Sequence, residues 1–430
     1  MRLFIAILCS IMFATFALAQ KIQIEHVTII SMDGNKVHED ATLAIEGDRI
    51  VYVGPADKAP QLHGTHSIID GTGKFLLPGL VEMHGHLPAA GWDKDRTEET
   101  LFLYLAGGVT TVRGMLGDPV QFDLREKITS GDIAGPTLYL AAPSLNGRSV
   151  SSVDEAIAKT KQYAAEGWDL QKLHGGLAPE EYEAIATTAK ALNYPFGGHV
   201  SADVGVEASL DAGQISIDHL DGFLTWLGGD KHELTDAELQ KAVDSTKASN
   251  TWVVPTQALM NMFLSGGDLG ALLARPENRY VSKETVAAWQ ERVEDINKDA
   301  NPLLAQNRQR LIKALVDGGA KVAMGSDAPQ VFSVPGFSIW REIETLKDAG
   351  LTNNQILALG TSAAGLYFAD KDRFGAIKVG ARADMILLNA DPRENIMNIT
   401  KQAGVMTGGR WYSRQMIDKR LEDISKRHGN

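Results

Sequence analysis

A chain of 430 residues, 44% hydrophobic and without a long low-complexity tract, can bury one large core and a small second one, which excludes a disordered protein. Its formal net charge of −12, with no basic run, excludes a general binder of nucleic acid or anionic membrane, since both recruit clustered Lys and Arg. The acidity itself is read as solubility, not as a preference for cationic substrates.

The chain starts with Met1-Arg2 and an apolar run over residues 3–18 that closes on Ala17-Leu18-Ala19. This has the form of a secretory signal peptide, residues 1–19, cut before Gln20. A retained N-terminal anchor is the alternative, for which the apolar run is short. Cys9, the only cysteine, would leave with the signal. The mature chain would then have no disulfide and no thiolate, and any metal would be held by His, carboxylate or modified Lys. A periplasmic or secreted protein is expected, with no further membrane span.

Residues 20–75 carry short alternating runs, Ile22-Gln23-Ile24, Val27-Thr28-Ile29-Ile30, Thr42-Leu43-Ala44-Ile45 and Ile50-Val51-Tyr52-Val53, between Gly and Asp turns. They predict a small β layer. Next comes Leu76-Leu77-Pro78-Gly79-Leu80-Val81-Glu82-Met83-His84-Gly85-His86, a buried strand that stops at two histidines. Residues i and i+2 of a strand point the same way, so His84 and His86 can present two imidazoles to one point, half a metal site. Taken alone, the pair is equally well a chance or hydrogen-bonded one.

From residue 76 to 369 strands alternate with helical segments, the pattern of parallel β/α units. Strand ends are expected near Met83, Arg113, Ala142, Lys172, His199, His219, Thr256 and Ser326, and helices over 152–165, 179–192, 235–248 and 301–316. The fold class is therefore α/β, a (β/α)8 TIM barrel. A doubly wound open sheet is the rival, but it would not bring ligands from strands along the whole chain to one point. Residues 257–300 are long for a connection and read as a lid or as a surface insertion. Residues 370–415 return to the style of the N-terminal runs, so a small β-sandwich domain is expected from 20–75 plus 370–415, followed by a C-terminal tail, 416–430.

Functional groups gather at the carboxyl ends of barrel strands, and more ligand types stand there. They are Lys172 in Leu170-Gln171-Lys172, His199 after Gly197-Gly198, His219 in Ser216-Ile217-Asp218-His219, and Asp327 in Gly325-Ser326-Asp327. Each alone has a structural explanation, as a core histidine, a helix cap or a lysine leaving the sheet. Their joint occurrence in register with strand ends favours a site.

These residues, with Pro78-Gly79-Leu80, Gly108-Val109-Thr110-Thr111-Val112-Arg113 and the closing Gly375-Ala376-Ile377 to Ala383-Asp384, make the chain similar to the amidohydrolase superfamily. Within it the chain resembles the group related to imidazolonepropionase and the carboxylated-lysine prolidase-like dipeptidases. The resemblance implies a metal-dependent hydrolase with two divalent cations, zinc being the expected metal. It makes His84, His86 and Asp327 ligands of the more buried ion, His199 and His219 ligands of the second, and Lys172 a bridge as its carbamate. An ammonium of ordinary pKa, roughly 10.4, would repel a cation, whereas its carbamate is a carboxylate; a salt-bridged lysine beside a single metal is the alternative. A metal-bridging hydroxide would then hydrolyse the C–N amide bond of a small carboxylate-bearing substrate, a dipeptide or N-acyl amino acid, with Asp327 passing the proton to the leaving nitrogen.

Arg148 could clamp the substrate carboxylate or be a surface arginine, and His174 could bond the scissile carbonyl or be structural. Arg113 is expected to neutralise carboxylates inside the barrel. After His199, Val200-Ser201-Ala202-Asp203 departs from the dipeptidase pattern, which leaves a cyclic amide, a lactam or a lactone open as substrate. A non-catalytic extracytoplasmic metal-binding module is the reading from another class, and a homo-oligomer is compatible with either.

Overall fold

The computed structural model describes residues 21–34, 36–62 and 66–429. The expected signal peptide and Cys9 lie outside the described residues. From the N-terminal side come β1 (Lys21–Ile30), β2 (Val37–Glu46), β3 (Arg49–Pro55), β4 (Ser67–Asp70) and β5 (Phe75–Pro78). The eight parallel strands follow: β6 (Leu80–Gly85), β7 (Val109–Gly114), β8 (Thr137–Leu140), β9 (Gln171–Leu173), β10 (Phe196–Gly198), β11 (Ser216–Asp218), β12 (Trp252–Val254) and β13 (Lys321–Val322). The chain closes with β14 (Met385–Leu388), β15 (Gln402–Thr407) and β16 (Arg410–Ser413).

The strands of the two chain ends do meet, but the pairing differs from the expected sandwich. They form one eight-stranded mixed sheet in the order β16-β15-β14-β5-β1-β2-β3, with β4 on β1. The join is β5, which runs parallel to β1 (Thr28 opposite Phe75) and antiparallel to β14 (Leu77 opposite Ile386). Alternation in sequence reports which face of a strand is buried, not which edges meet. Ile22, Ile24, Leu43, Ile45, Leu76, Met385 and Leu387 fill one apolar cluster under this sheet.

The parallel strands pair as β6-β7-β8 and as β9-β10-β11-β12-β13, a TIM-barrel-like α/β arrangement. At one seam Ala142 N–H bonds Leu170 O (2.8 Å) and Leu145 N–H bonds Lys172 O (2.9 Å). At the other, Met83 N–H bonds Met324 O (3.0 Å) and Asp327 N–H bonds His84 O (2.7 Å). The last strand was expected to run to Ser326 but stops at Val322, because the segment beyond it changes partners. Met324 N–H goes to Leu359 O and Ser326 N–H to the Glu82 carboxylate (2.8 Å).

The intervening helices include Val153–Glu166, Pro179–Ala191, Asp236–Ser249 and Pro302–Asp317, close to the periodic stretches. Asp236–Ser249 starts at a capping box, with Thr235 and Glu238 each accepting from the other's backbone N–H. Pro302–Asp317 buries Leu311, Ile312 and Leu315, each worth about 1.5–3 kcal/mol of apolar burial. The 257–300 segment is a helical layer, chiefly Gln257–Ser265 and Lys283–Ile296, whose Leu259, Met262 and Val293 pack with Phe332 of the loop after β13. The expected C-terminal tail is instead the helix Arg414–Arg427, burying Ile417, Leu421 and Ile424. Arg427 and His428 reach the buried Glu99 at 2.5 and 3.1 Å. Among the described residues no helix is long and apolar enough to cross a membrane.

Candidate metal centre

The end of β6, at the second of these seams, delivers two imidazoles. His84, 1% exposed, has Nδ1 2.8 Å from Asp218 Oδ2, while its Nε2 lies 3.4 Å from Lys172 Nζ and 3.6 Å from Asp327 Oδ1. His86 Nε2 is 2.7 Å from the same Asp327 Oδ1. His84, His86 and Asp327 thus offer one ligand atom each, all within 4.8 Å of one another. The other two predicted histidines close the ring: His219 lies 4.4 Å from His84 and 4.5 Å from His199 between ring centroids. Lys172 is fully buried among them.

Each of three imidazoles is tied from outside through Nδ1. His84 is tied by Asp218, His199 by Asp221 Oδ2 at 2.6 Å and His219 by Thr256 Oγ1 at 2.8 Å. An outer partner on one ring nitrogen decides which nitrogen is free for a ligand. Inside, His219 Nε2 and Asp327 Oδ1 are buried with no aligned hydrogen bond among the described residues, despite the short approach of Asp327 to His86. Leaving such groups unmade costs about 1–3 kcal/mol each, a cost that a bound cation removes. Imidazole and carboxylate donors with no thiolate suit a zinc-like divalent ion, so the residues fit such a group.

Local backbone features make the convergence feasible. Gly198, at φ +125°, has no Cβ where one would meet Leu173 O at 2.6 Å and Lys172 Cδ at 3.0 Å, so the lysine stem passes against bare backbone. A Cβ on Gly325 would meet His84 N at 2.8 Å, and its lack lets the last segment close on β6. His219, Thr256 and Asp327 adopt left-handed φ of 61°, 47° and 60°. Strain of this kind, about 1–3 kcal/mol per residue, is characteristic of functional sites. Beneath them the buried Glu82 accepts from His84 N–H (3.0 Å), Ser326 N–H (2.8 Å) and Ser326 Oγ, tying the two ligand-bearing strand ends together.

Burial dominates the electrostatics. It holds His84 and His219 well below the ordinary histidine range and brings Lys172 down to about 8. The same burial, with Lys172 nearby, lowers His174 to about 3. It pushes Glu82 up to about 8. Asp218 goes the other way: burial raises it, but Arg113 and Lys172 outweigh that and hold it below the usual carboxylate range. Held low in this way, His84 and His219 are neutral imidazoles, the protonation state in which a histidine can bind a cation.

The structure therefore brings His84, His86, Lys172, His199, His219 and Asp327 into one volume. His174 joins them, stacked on His199 at 4.5 Å with its Nδ1 buried and unpartnered among the described residues. Arg148 is exposed, on a loop whose Leu145 O accepts from His174 N–H. Arg113 pairs with Asp218 at 2.9 and 3.1 Å. Sequence reasoning missed Asp218, Asp221, Thr256 and Glu82. Asp218 precedes His219, and strand alternation puts neighbours on opposite faces; the left-handed turn at His219 breaks that rule. A cleft of about 610 Å³ lined by Trp92, Glu99, Tyr280, Trp289 and Pro329 takes in none of these histidines, Lys172 or Asp327.

Comparison with known proteins gives a match to the model of the amidohydrolase family over residues 75–412. The imidazolonepropionase of Streptomyces griseus is 41% identical over 78 residues, 17% of this chain and 18% of that protein. The chain thus aligns with less than a fifth of that relative's length. Among solved structures, bottromycin amidohydrolase superposes with a TM-score of 0.76 at 20% identity, covering 95% of this chain and 90% of that one. A Xaa-Pro dipeptidase with bound methionine in its active site superposes with 0.64 at 18% identity, covering 92% and 100%. At those identities the likeness is one of fold.

Proposed function

The chain belongs to the amidohydrolase family, and from that membership we propose that it is a metal-dependent hydrolase cleaving the C–N bond of a small carboxylate-bearing amide, a dipeptide or N-acyl amino acid. The carrying observation is a set of three imidazoles tied outside at Nδ1 around His219 Nε2 and Asp327 Oδ1, both buried with no aligned hydrogen bond among the described residues. In this reading the parallel strands close as a (β/α)8 barrel with the site at their carboxyl ends. His84, His86 and Asp327 would hold one divalent cation and His199 and His219 a second, both probed first as zinc. Lys172, carboxylated on Nζ, would bridge them.

When bound, such ions supply an activated water and polarise the substrate carbonyl. The chain's own residues do the rest. Lys172, brought to about 8 by burial, presents enough free amine to react with carbon dioxide. Asp327, through the carboxylate oxygen not given to the cation, would accept the proton of the attacking water and return it to the leaving nitrogen, since an amide anion leaves poorly. His174, neutral and stacked on His199, is the residue proposed to donate to the scissile carbonyl. Arg148, on the neighbouring loop, is the residue proposed for the substrate carboxylate. The form of residues 1–19 supports export to a periplasm or the medium.

The test is metal analysis followed by chelation, reconstitution and assay against dipeptides, N-acyl amino acids, lactams and lactones. Metal-dependent turnover of a linear amide, lost in Asp327→Asn with the metal retained, supports the reading. Full turnover by the chelated protein or by Asp327→Asn overturns the mechanism. Turnover of lactams or lactones alone overturns the substrate and leaves the metal hydrolase standing.

A further inference from the structure

Arg113 and Asp218 form a buried pair beneath the candidate metal centre, and both are fully buried. Asp218 accepts from Arg113 Nη2 on both oxygens (2.9 and 3.1 Å), and its Oδ2 lies 2.8 Å from His84 Nδ1. Arg113 is itself pinned, donating through Nε to Met83 O (2.5 Å) and through Nη1 to Ser216 Oγ (2.8 Å) and Tyr367 Oη (3.1 Å). A guanidinium has donors only, so both Asp218 oxygens must act as acceptors toward it, and Oδ2 has just one role left for His84. It accepts. We propose that Asp218, clamped by Arg113, is a positioning residue that selects the tautomer of His84: the proton is forced onto Nδ1, and Nε2, facing Lys172 and Asp327, is left with its lone pair for a cation.

The three outer partners are not equivalent. Asp218 is an acceptor by charge and by its clamp, whereas the hydroxyl of Thr256 opposite His219 can donate or accept. Thr256 therefore leaves the tautomer of His219 unfixed from outside. Asp221 and His199 form an ordinary part-exposed pair without a clamp. Of the three, His84 and His199 both face a carboxylate acceptor, and His84 is the one whose acceptor is held in place by a buried guanidinium.

The inference rests on the metal-site reading, and a substitution cycle separates the two. In Asp218→Asn the single remaining oxygen cannot serve both neighbours. If it faces Arg113, the amide –NH2 donates to His84 Nδ1 and moves the imidazole proton to Nε2, the nitrogen needed for the ion. Expected results are a native circular dichroism spectrum, zinc affinity by chelator competition weaker by about 10–100-fold, and a metal-free 15N-histidine spectrum in which the His84 signal changes from the Nδ1–H to the Nε2–H pattern. His84→Gln assigns that signal.

The double variant Arg113→Met/Asp218→Asn removes the competing donors, so the Asn oxygen is free to turn to His84. Zinc affinity then recovers relative to Asp218→Asn, and the Nδ1–H pattern returns. A merely structural pair would also regain stability when both partners are removed, so the return of the Nδ1–H pattern is the readout that separates the two. Should Asp218→Asn fail to fold, the double variant carries the test through its 15N pattern, Nδ1–H in support and Nε2–H against. Unchanged affinity and tautomer in Asp218→Asn, or no recovery in the double variant, overturns the inference. A parent protein that binds no zinc overturns the metal-site reading instead.

Discussion

Glu342 offers a test of how the site is supported from behind. The helix Gln257–Ser265 begins immediately after Thr256, but Thr256 gives it no side-chain cap, because its hydroxyl is committed to His219. The capping is supplied from a distant helix, Phe337–Asp348. Glu342 Oε1 accepts from Gln257 N–H (2.9 Å) and Oε2 from Ala258 N–H (2.7 Å), with the carboxyl fully buried. Burial raises this carboxyl from its ordinary 4.5 to about 7, against the pull of the two amides and Arg308. A carboxyl that holds its proton more tightly when folded stabilises the fold at low pH, and that contribution is lost as pH rises from about 4.5 through 7. The full loss is about 3 kcal/mol, of which about 2 kcal/mol falls between pH 5 and 7.5.

Glu342→Gln removes the titration and turns an amide –NH2 against one backbone N–H, a pH-independent penalty of about 1–3 kcal/mol. The variant is therefore expected to be clearly less stable than the parent at pH 5 and to close most of that gap by pH 7.5. With roughly 2 cal/mol/K of unfolding entropy per residue, the gap in melting temperature should shrink by about 2 °C. Calorimetry of both proteins at several pH values reads this directly. Parallel curves, with a constant gap across the range, would refute the argument.

Three further outcomes are expected. Lys172→Ala should lower bound zinc from two ions toward one per chain and regain the second with short carboxylic acids; undiminished metal content would contradict the bridging role. Gly198→Ala, with its Cβ driven to 2.6 Å from Leu173 O at φ +125°, should cost about 2–5 kcal/mol from strain and overpacking, a melting shift of a few degrees, and an unchanged melting temperature would speak against it. Leu421→Ala on the C-terminal helix should cost about 2–5 kcal/mol, whereas the exposed Asp423→Ala should be silent; equal effects would mean that the helix is not packed as described.

The residues that converge at the site were readable because their types recur where apolar runs end, as at His84, Lys172, His199 and Asp327. Spacing along the chain carried the information. The outer partners were harder, for two reasons. Thr256 and Asp221 are of types common in any loop, and Asp218 sits one residue from a histidine, on the wrong face until His219 takes its left-handed turn. The C-terminal helix was legible in the 417, 421 and 424 apolar positions, but its charged remainder resembles a solvated tail. Sheet pairing of the chain ends is the opposite case. The edge β5 offers to β14 depends on contacts roughly 300 residues apart, and no local pattern encodes it.

That long-range pairing sets an order of assembly. While the chain is being synthesised, β5 can dock on β1 at once, but the side of it that faces Leu387 and Ile386 stays bare until nearly the whole polypeptide has been made. An unpaired apolar edge held open for that interval invites pairing with other nascent chains. Refolding yield should accordingly fall with protein concentration, and a separately supplied segment spanning β14 to β16 is the natural competitor for that edge.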